Sequence, residues 1–209
     1  MTEHGPDLTA STAGTHVIEH AGRLLALCEA NYPFELDQDL ETVGAYDFDG
    51  KLRTAMTAHP KEDPLTGELH FFGSSPFPPY LVYYVADAKG EIVHSAEVRG
   101  ATASLKHDFA ITRGHVVFVE GNVTFDPADH SGIPYAWSDR QPSRIGVMPR
   151  GEGRRPAHPL VLRRTGQHAA RLQRLRGRPG AHRPGGPHRG PRGLPPLLEL
   201  VDRRARARQ

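Results

Sequence analysis

The 209-residue chain carries 26 Lys and Arg residues against 24 Asp and Glu residues, but the two signs are separated along it. Residues 1–149 hold 10 basic and 21 acidic residues, a net charge of −11, whereas residues 150–209 hold 16 arginines and 3 acids, a net charge of +13. A single cysteine, Cys28, excludes an internal disulfide and a cysteine metal site and is compatible with a reducing compartment. No apolar run approaches the ~18 residues of a membrane-spanning helix, and residues 1–14 lack the apolar segment of a signal peptide, so we expect a cytoplasmic protein.

Short apolar runs of β type alternate with turn signals through the acidic part of the chain. A turn glycine opens three of these runs, GRLLALCEA (22–30), GELHFFGSS (67–75) and GHVVFVEGN (114–122), so that Leu24, Leu69 and Val116 recur at intervals of 45 and 47 residues. Another strand precedes each run, and an outer pair of strands follows each of the first two. Because four strands every ~45 residues are typical of a β-propeller blade, we predict an all-β fold of roughly two and a half blades.

Two histidines recur at nearly the same period. His59 ends the run TAMTAHP and His107 lies at the start of KHDFAIT, 48 residues later. We predict that both lie on the first strands of their blades, and first strands surround the central axis of a propeller, so the two rings should converge. A pair of imidazoles suits a divalent first-row metal such as iron and leaves coordination positions open for dioxygen and substrate. The alternative is that each histidine forms only structural hydrogen bonds, and the spacing alone leaves both interpretations open.

The residues around these histidines resemble a known family. TAHPKEDPLTGEL (57–69) resembles the first iron-histidine motif of the carotenoid oxygenases, and KHDFAIT (106–112) followed by VVF resembles the second. DLETVGAYDFDGKL and SRIGVMPR also resemble family segments, so the resemblance covers residues 15–150. It implies a seven-bladed propeller in which Fe(II), held by four histidines, cleaves a conjugated C=C bond with dioxygen into two carbonyl products.

The resemblance also implies roles for individual residues. His59 and His107 correspond to the first two iron ligands, and Glu29, in LALCEANYPFEL, matches a glutamate that hydrogen-bonds a ligand histidine. Such a carboxylate fixes the tautomer of the imidazole and makes it a better donor, although an ordinary carboxylate at a strand end is the alternative. The implied substrate is an apolar polyene, whether carotenoid, apocarotenoid or stilbene, and its uptake is compatible with a peripheral membrane contact. No nucleic acid and no defined protein partner are expected.

The last 59 residues have a different composition. Residues 151–209 contain no Phe, Tyr, Trp, Ile, Met, Lys, Asn, Ser or Cys, and 17 of them are Pro or Gly. We interpret this low-complexity basic tail as an out-of-frame translation of a GC-rich gene. Because proline and glycine break regular structure and the arginines repel one another, we predict disorder, with no packed core and no regular sheet.

The chain therefore divides into a flexible N-terminus (1–14), a partial propeller (15–150) and a basic tail (151–209). Since only two histidines match a ligand motif where the family has four, we expect the chain itself to be inactive. The alternative is a non-catalytic propeller fragment whose tail binds nucleic acid or another polyanion. Such arms usually mix Lys, Ser and aromatic residues with Arg, and this tail lacks all of them. A family-like continuation in another reading frame of the DNA would decide between the two.

Overall fold

The computed structural model describes residues 7–10, 13–129 and 134–150, together with the backbone of a strand at 161–164. Within these ranges every helix or strand assigned is a β-strand, as predicted. The strands form three four-stranded sheets and one two-stranded sheet. No helix long and apolar enough to cross a membrane occurs in the described part of the chain.

The first sheet is a four-stranded antiparallel meander. It consists of β1 (His16–His20), β2 (Arg23–Leu27), β3 (Phe34–Leu36) and β4 (Thr42–Ala45), in that spatial order. Ala21 and Gly22 join β1 to β2 with positive φ angles of 53° and 78°. Two consecutive positive φ values are typical of the type I′ turn, whose twist matches that of the paired strands.

The second and third sheets repeat this pattern. The second contains β5 (Lys61–Glu62), β6 (Leu69–Ser74), β7 (Leu81–Ala86) and β8 (Ile92–Glu97). The chain continues through β9 (Phe109–Ile111), β10 (His115–Glu120), β11 (Val123–Phe125), β12 (Tyr135–Trp137), β13 (Arg144–Pro149) and β14 (Val161–Arg164). The third sheet has the order β14-β13-β10-β9, and β11 pairs with β12 beside it. Strands β2, β6 and β10 are the second strands of successive sheets, so the partial propeller and its repeat are confirmed.

Strand β14 differs from the prediction for the tail. It lies in the segment for which we predicted no regular sheet, yet it neighbours β13 and supplies the fourth strand of the third sheet. The prediction of no sheet in residues 151–209 is therefore wrong at Val161–Arg164. The run PLVL is apolar enough to extend a sheet whose edge is already present. Residues 151–160 and 165–209, for which we predicted disorder, lie outside the described residues.

The second sheet is buried on both faces. Phe71 of β6 and Tyr84 of β7 pack into a core shared with the first sheet, while Phe72 and Tyr83 pack into a core shared with the third. All four side chains are at most 3% exposed. Burial on both faces explains why β6 and β7 read as continuous apolar runs rather than as alternating ones.

A polar cluster links the second and third sheets beside this core. His70 Nδ1 lies 2.6 Å from the hydroxyl of Tyr83, and Arg150 donates to His70 Nε2 at 2.9 Å. Arg150 also pairs with Asp63 and donates to the carbonyl of Thr112 at 2.9 Å. Because arginine can only donate, His70 Nε2 is an acceptor and the proton is on Nδ1. Burial, with Arg150 beside the ring, lowers the pKa of His70 to about 4.

This shift predicts a loss of stability in mild acid. Unfolded histidine titrates near pH ~6.5, so the stability that neutral His70 contributes is complete above that pH. It is lost as the pH falls from there toward 4, because only the unfolded chain takes up the proton. We expect His70→Gln to be less stable at pH 7 and to lose less stability between pH 7 and 5 than the unsubstituted chain, measured by urea unfolding. His94→Gln should reduce the pH dependence of stability less than His70→Gln does, because desolvation alone lowers the pKa of His94. Equal pH dependence in the chain and in His70→Gln would contradict this assignment.

Candidate metal centre

Three residues at strand ends form the candidate site. Glu29 lies two residues after β2, His59 two residues before β5, and His107 two residues before β9. The prediction that both histidines lie on first strands is therefore wrong in detail, since each precedes its strand. The offset is nevertheless the same in both sheets, so the two rings reach the same end of the propeller.

The structure brings all three side chains together. The ring centroids of His59 and His107 are 4.5 Å apart, with the ring planes at 67°. Glu29 Oε1 lies 3.6 Å from His59 Nε2 and is in contact with His107 Nδ1. One potential ligand atom from each of the three residues lies within 4.8 Å of the other two. This separation is small enough for one ion to contact more than one of these groups after minor side-chain rotation.

The burial of these groups fits a cation. The side chains of His59 and Glu29 are 28% and 30% exposed, and that of His107 is 66% exposed. His59 Nε2 is buried and has no hydrogen-bond partner among the described residues. A buried polar nitrogen without a partner costs free energy. A metal ion between the imidazoles and the carboxylate would satisfy this nitrogen, so the donor set suits a divalent first-row metal.

A further histidine lies beside the site, where the sequence analysis assigned none. The ring of His16, the first residue of β1, has its centroid 6.3 Å from that of His59. His16 Nδ1 lies 3.0 Å from the carbonyl oxygen of Ala58, which can only accept, so this nitrogen donates. The bond ties the first sheet to the residue preceding His59. The separation of His16 from His59, 43 residues, is close to the blade period and is the one sequence signal for its place, since His16 belongs to no ligand motif.

Residues 4–167 match the family of the retinal pigment epithelial membrane protein. The chain belongs to this family, the carotenoid oxygenases. The matched range extends beyond residues 15–150, over which the motifs resemble the family, and it includes strand β14.

Two curated relatives illustrate the range of the family. The chain is 36% identical to a probable carotenoid cleavage dioxygenase 4, chloroplastic, of Arabidopsis thaliana. The match extends over 161 residues and covers 72% of this chain and 27% of the relative. It is 38% identical over 154 residues to isoeugenol monooxygenase of Pseudomonas nitroreducens, covering 70% of this chain and 32% of the relative. The chain thus spans about a third or less of the length of these relatives.

A solved structure supports the fold. The crystal structure of lignostilbene dioxygenase from Pseudomonas brassicacearum superposes with a TM-score of 0.63 at 36% sequence identity. The match covers 71% of this chain and 32% of that one. The three sheets described above are therefore part of a carotenoid-oxygenase propeller.

Proposed function

We propose that this chain carries part of the metal centre of an Fe(II)-dependent oxygenase that cleaves a conjugated C=C bond with dioxygen into two carbonyl products. His59 and His107 are the proposed metal ligands, and Glu29 is the proposed hydrogen-bond partner of His107. The observation that carries the proposal is the convergence of these three side chains from three different sheets, with one donor atom of each within 4.8 Å of the others. When bound, Fe(II) would supply the activation of dioxygen.

The roles of the protein groups follow from their contacts. Glu29 Oε1 lies against Nδ1 of His107. In the proposed site this carboxylate would accept the Nδ1 proton and leave the lone pair of Nε2 available for a metal. His16 donates a hydrogen bond to the carbonyl oxygen of Ala58 and thereby restrains the backbone immediately before His59. A ligand whose ring orientation is fixed in this way loses less conformational entropy when the metal binds.

The proposed substrate is an apolar molecule with a conjugated C=C bond, either a carotenoid or apocarotenoid polyene or a stilbene. The names of the relatives support this class, since they refer to carotenoid cleavage, isoeugenol and lignostilbene. We also propose a cytoplasmic location, with a peripheral membrane contact for substrate uptake. The single cysteine, Cys28, is free in the structure and agrees with a reducing compartment.

We further propose that the 209-residue chain does not turn over substrate by itself. With Glu29 as the hydrogen-bond partner of His107, only two imidazoles remain as metal ligands, and such an open pair favours copper or zinc over Fe(II) by the usual order of affinities. The test is to express this chain beside a version in which the reading frame after residue 150 continues the family sequence. Both are loaded anaerobically with Fe(II), and loss of polyene absorbance and formation of aldehyde are followed. Cleavage by the frame-restored protein alone would support the proposal, and iron-dependent cleavage by the short chain would overturn it.

Metal affinity tests the proposed ligands directly. We expect His59→Ala and His107→Ala each to weaken Co²⁺ binding to the 209-residue chain by more than about tenfold, since losing even an outer partner of a metal ligand commonly has an effect of that size. Co²⁺ titration followed by visible absorption is the measurement. His94→Ala is the matched control, because His94 lies on β8 and outside the three-residue site. Unchanged affinity in both site variants would remove these histidines from the proposal.

A further inference from the structure

Two contacts join the backbone segments that carry the histidines, and neither involves the histidine rings. Thr57 Oγ1 accepts from the backbone N–H of His59 at 3.2 Å and donates to the carbonyl oxygen of His107 at 3.4 Å. Lys61 Nζ pairs with Asp108 Oδ1 at 2.8 Å. Thr57 and Lys61 thus lie two residues on either side of His59, and both reach the segment of His107.

The surroundings of these contacts restrict the orientation of the side chains that form them. Thr57 is 2% exposed, so its hydroxyl has little access to competing water. The Asp108 carboxylate also accepts from the backbone N–H of Phe109 at 2.7 Å, which fixes its orientation toward Lys61. The ammonium of Lys61 in turn lies 5.7 Å from the centroid of the Phe109 ring. The start of β5 is therefore tied to the start of β9 at several points.

Packing alone does not hold His107 in place. Its side chain is 66% exposed, and it precedes β9 rather than lying within that strand. The side chains of Lys61 and Asp108 are 31% and 52% exposed, and ion pairs of such exposure contribute little to stability. The pair nevertheless joins two backbone segments from neighbouring sheets, each of which carries a proposed ligand.

We propose that Thr57 and the Lys61–Asp108 pair form a clamp that sets the separation of the His59 and His107 rings. The clamp residues are positioning residues, since none of them lies among the groups that would contact a metal. This inference rests on the proposed metal centre for its functional meaning. The geometric part, that the clamp holds the two rings together, applies to the metal-free chain as well.

Two measurements on the 209-residue chain test the clamp. In the metal-free chain, NMR of labelled histidines reports a nuclear Overhauser effect between ring protons of His59 and His107, whose centroids are 4.5 Å apart. In a parallel titration, visible absorption reports Co²⁺ affinity. The variants are Lys61→Met, Asp108→Asn and their combination, with Lys61→Arg as the charge-retaining control. Thr57→Val removes the hydroxyl, whereas Thr57→Ser retains it and serves as its control.

We expect the ring contact to weaken in Lys61→Met, Asp108→Asn and Thr57→Val and to persist in the two conservative variants. Co²⁺ affinity should fall by about threefold in the Lys61 and Asp108 variants, because an exposed ion pair contributes little free energy, and roughly tenfold in Thr57→Val. The combined Lys61 and Asp108 variant should be no weaker than either single one, because both remove the same interaction. Thermal unfolding should change little in the Lys61 and Asp108 variants, since the pair is exposed.

An unchanged ring contact in Lys61→Met and Asp108→Asn would overturn the clamp, and so would additive losses in the combined variant. If the unsubstituted chain takes up no Co²⁺, the proposed metal centre fails, and the ring contact by itself then decides whether the clamp exists.

Discussion

Replacing Glu120 by alanine is expected to lower the free energy of unfolding by about 3–5 kcal/mol, the usual cost of leaving a buried charge without its partner. Glu120 ends β10 and is 1% exposed. Its carboxylate pairs with Lys106 at 3.2 Å and with Arg144 of β13, and it accepts from the backbone N–H of Thr102 at 2.9 Å. Without it, two cations would remain in a desolvated site.

Lys106 makes this loss more severe. It is 5% exposed, and burial lowers its pKa while the charge of Glu120 opposes that change. Lys106 Nζ also donates to the carbonyl oxygens of Thr102 and Ser104, at 2.5 Å and 3.0 Å. Since Lys106 immediately precedes His107, the Glu120 network anchors the loop that leads into the candidate metal centre.

Urea unfolding of Glu120→Ala and Glu120→Gln at pH 7 tests this prediction. Glutamine retains an acceptor for Thr102 but not the charge, so an intermediate loss is expected. Glu97→Ala is the matched control, because Glu97 ends an outer strand and is exposed; surface changes of this kind usually stay within about 0.5 kcal/mol. A Glu120→Ala variant as stable as Glu97→Ala would mean that the buried network contributes nothing.

Substituting Gly73 by alanine is expected to destabilise the chain by roughly 1–3 kcal/mol, the range typical of overpacking. A Cβ at Gly73 of β6 would lie 1.7 Å from Thr54 Oγ1 and 2.4 Å from the carbonyl oxygen of Ala55. The hydroxyl could rotate away, but the carbonyl belongs to the backbone. Thr57 N donates to the carbonyl of Phe72 at 2.7 Å, so this segment, which leads to His59, depends on a close approach to β6.

Gly114→Ala is the control for this substitution, because a Cβ at Gly114 meets nothing within 4 Å. We expect the unfolding midpoint in urea to fall for Gly73→Ala only. We also expect weaker Co²⁺ binding in that variant, since the segment carrying His59 must move. Equal midpoints for the two variants would show that the approach of residues 54–57 to β6 can relax without cost.

The parts of the fold that could be predicted from sequence are those encoded by neighbouring residues. Strands β2, β6 and β10 were recognisable because a turn glycine precedes a short apolar run in each, and their period indicated the blades. The family motifs located His59 and His107 in the same way, since each motif is continuous along the chain.

The remaining features depend on contacts that sequence order does not reveal. Strands β5 and β9 begin at Lys61 and Phe109, later than the runs TAMTAHP (54–60) and KHDFAIT (106–112) predict, because pairing with β6 and β10 sets these strand ends. Strand β14 is not predicted from sequence, because the composition of its segment indicates disorder and the strand forms by pairing with β13. No sequence pattern indicates that Lys106 and Glu120 are buried, yet the structure buries both.

The sequence by itself determined the fold class, the repeat and the two candidate ligands, because turn chemistry, strand periodicity and motifs act over a few consecutive residues. The resemblance also predicts that Glu29 accompanies a ligand histidine, but only the tertiary structure decided which histidine it faces and which other groups surround the ligands. Glu29 faces His107, Lys61 faces Asp108, and His16 reaches Ala58. Each of these pairs joins different sheets across more than forty residues of chain. Their contacts arise from how the blades pack, and no local pattern along the chain specifies that packing.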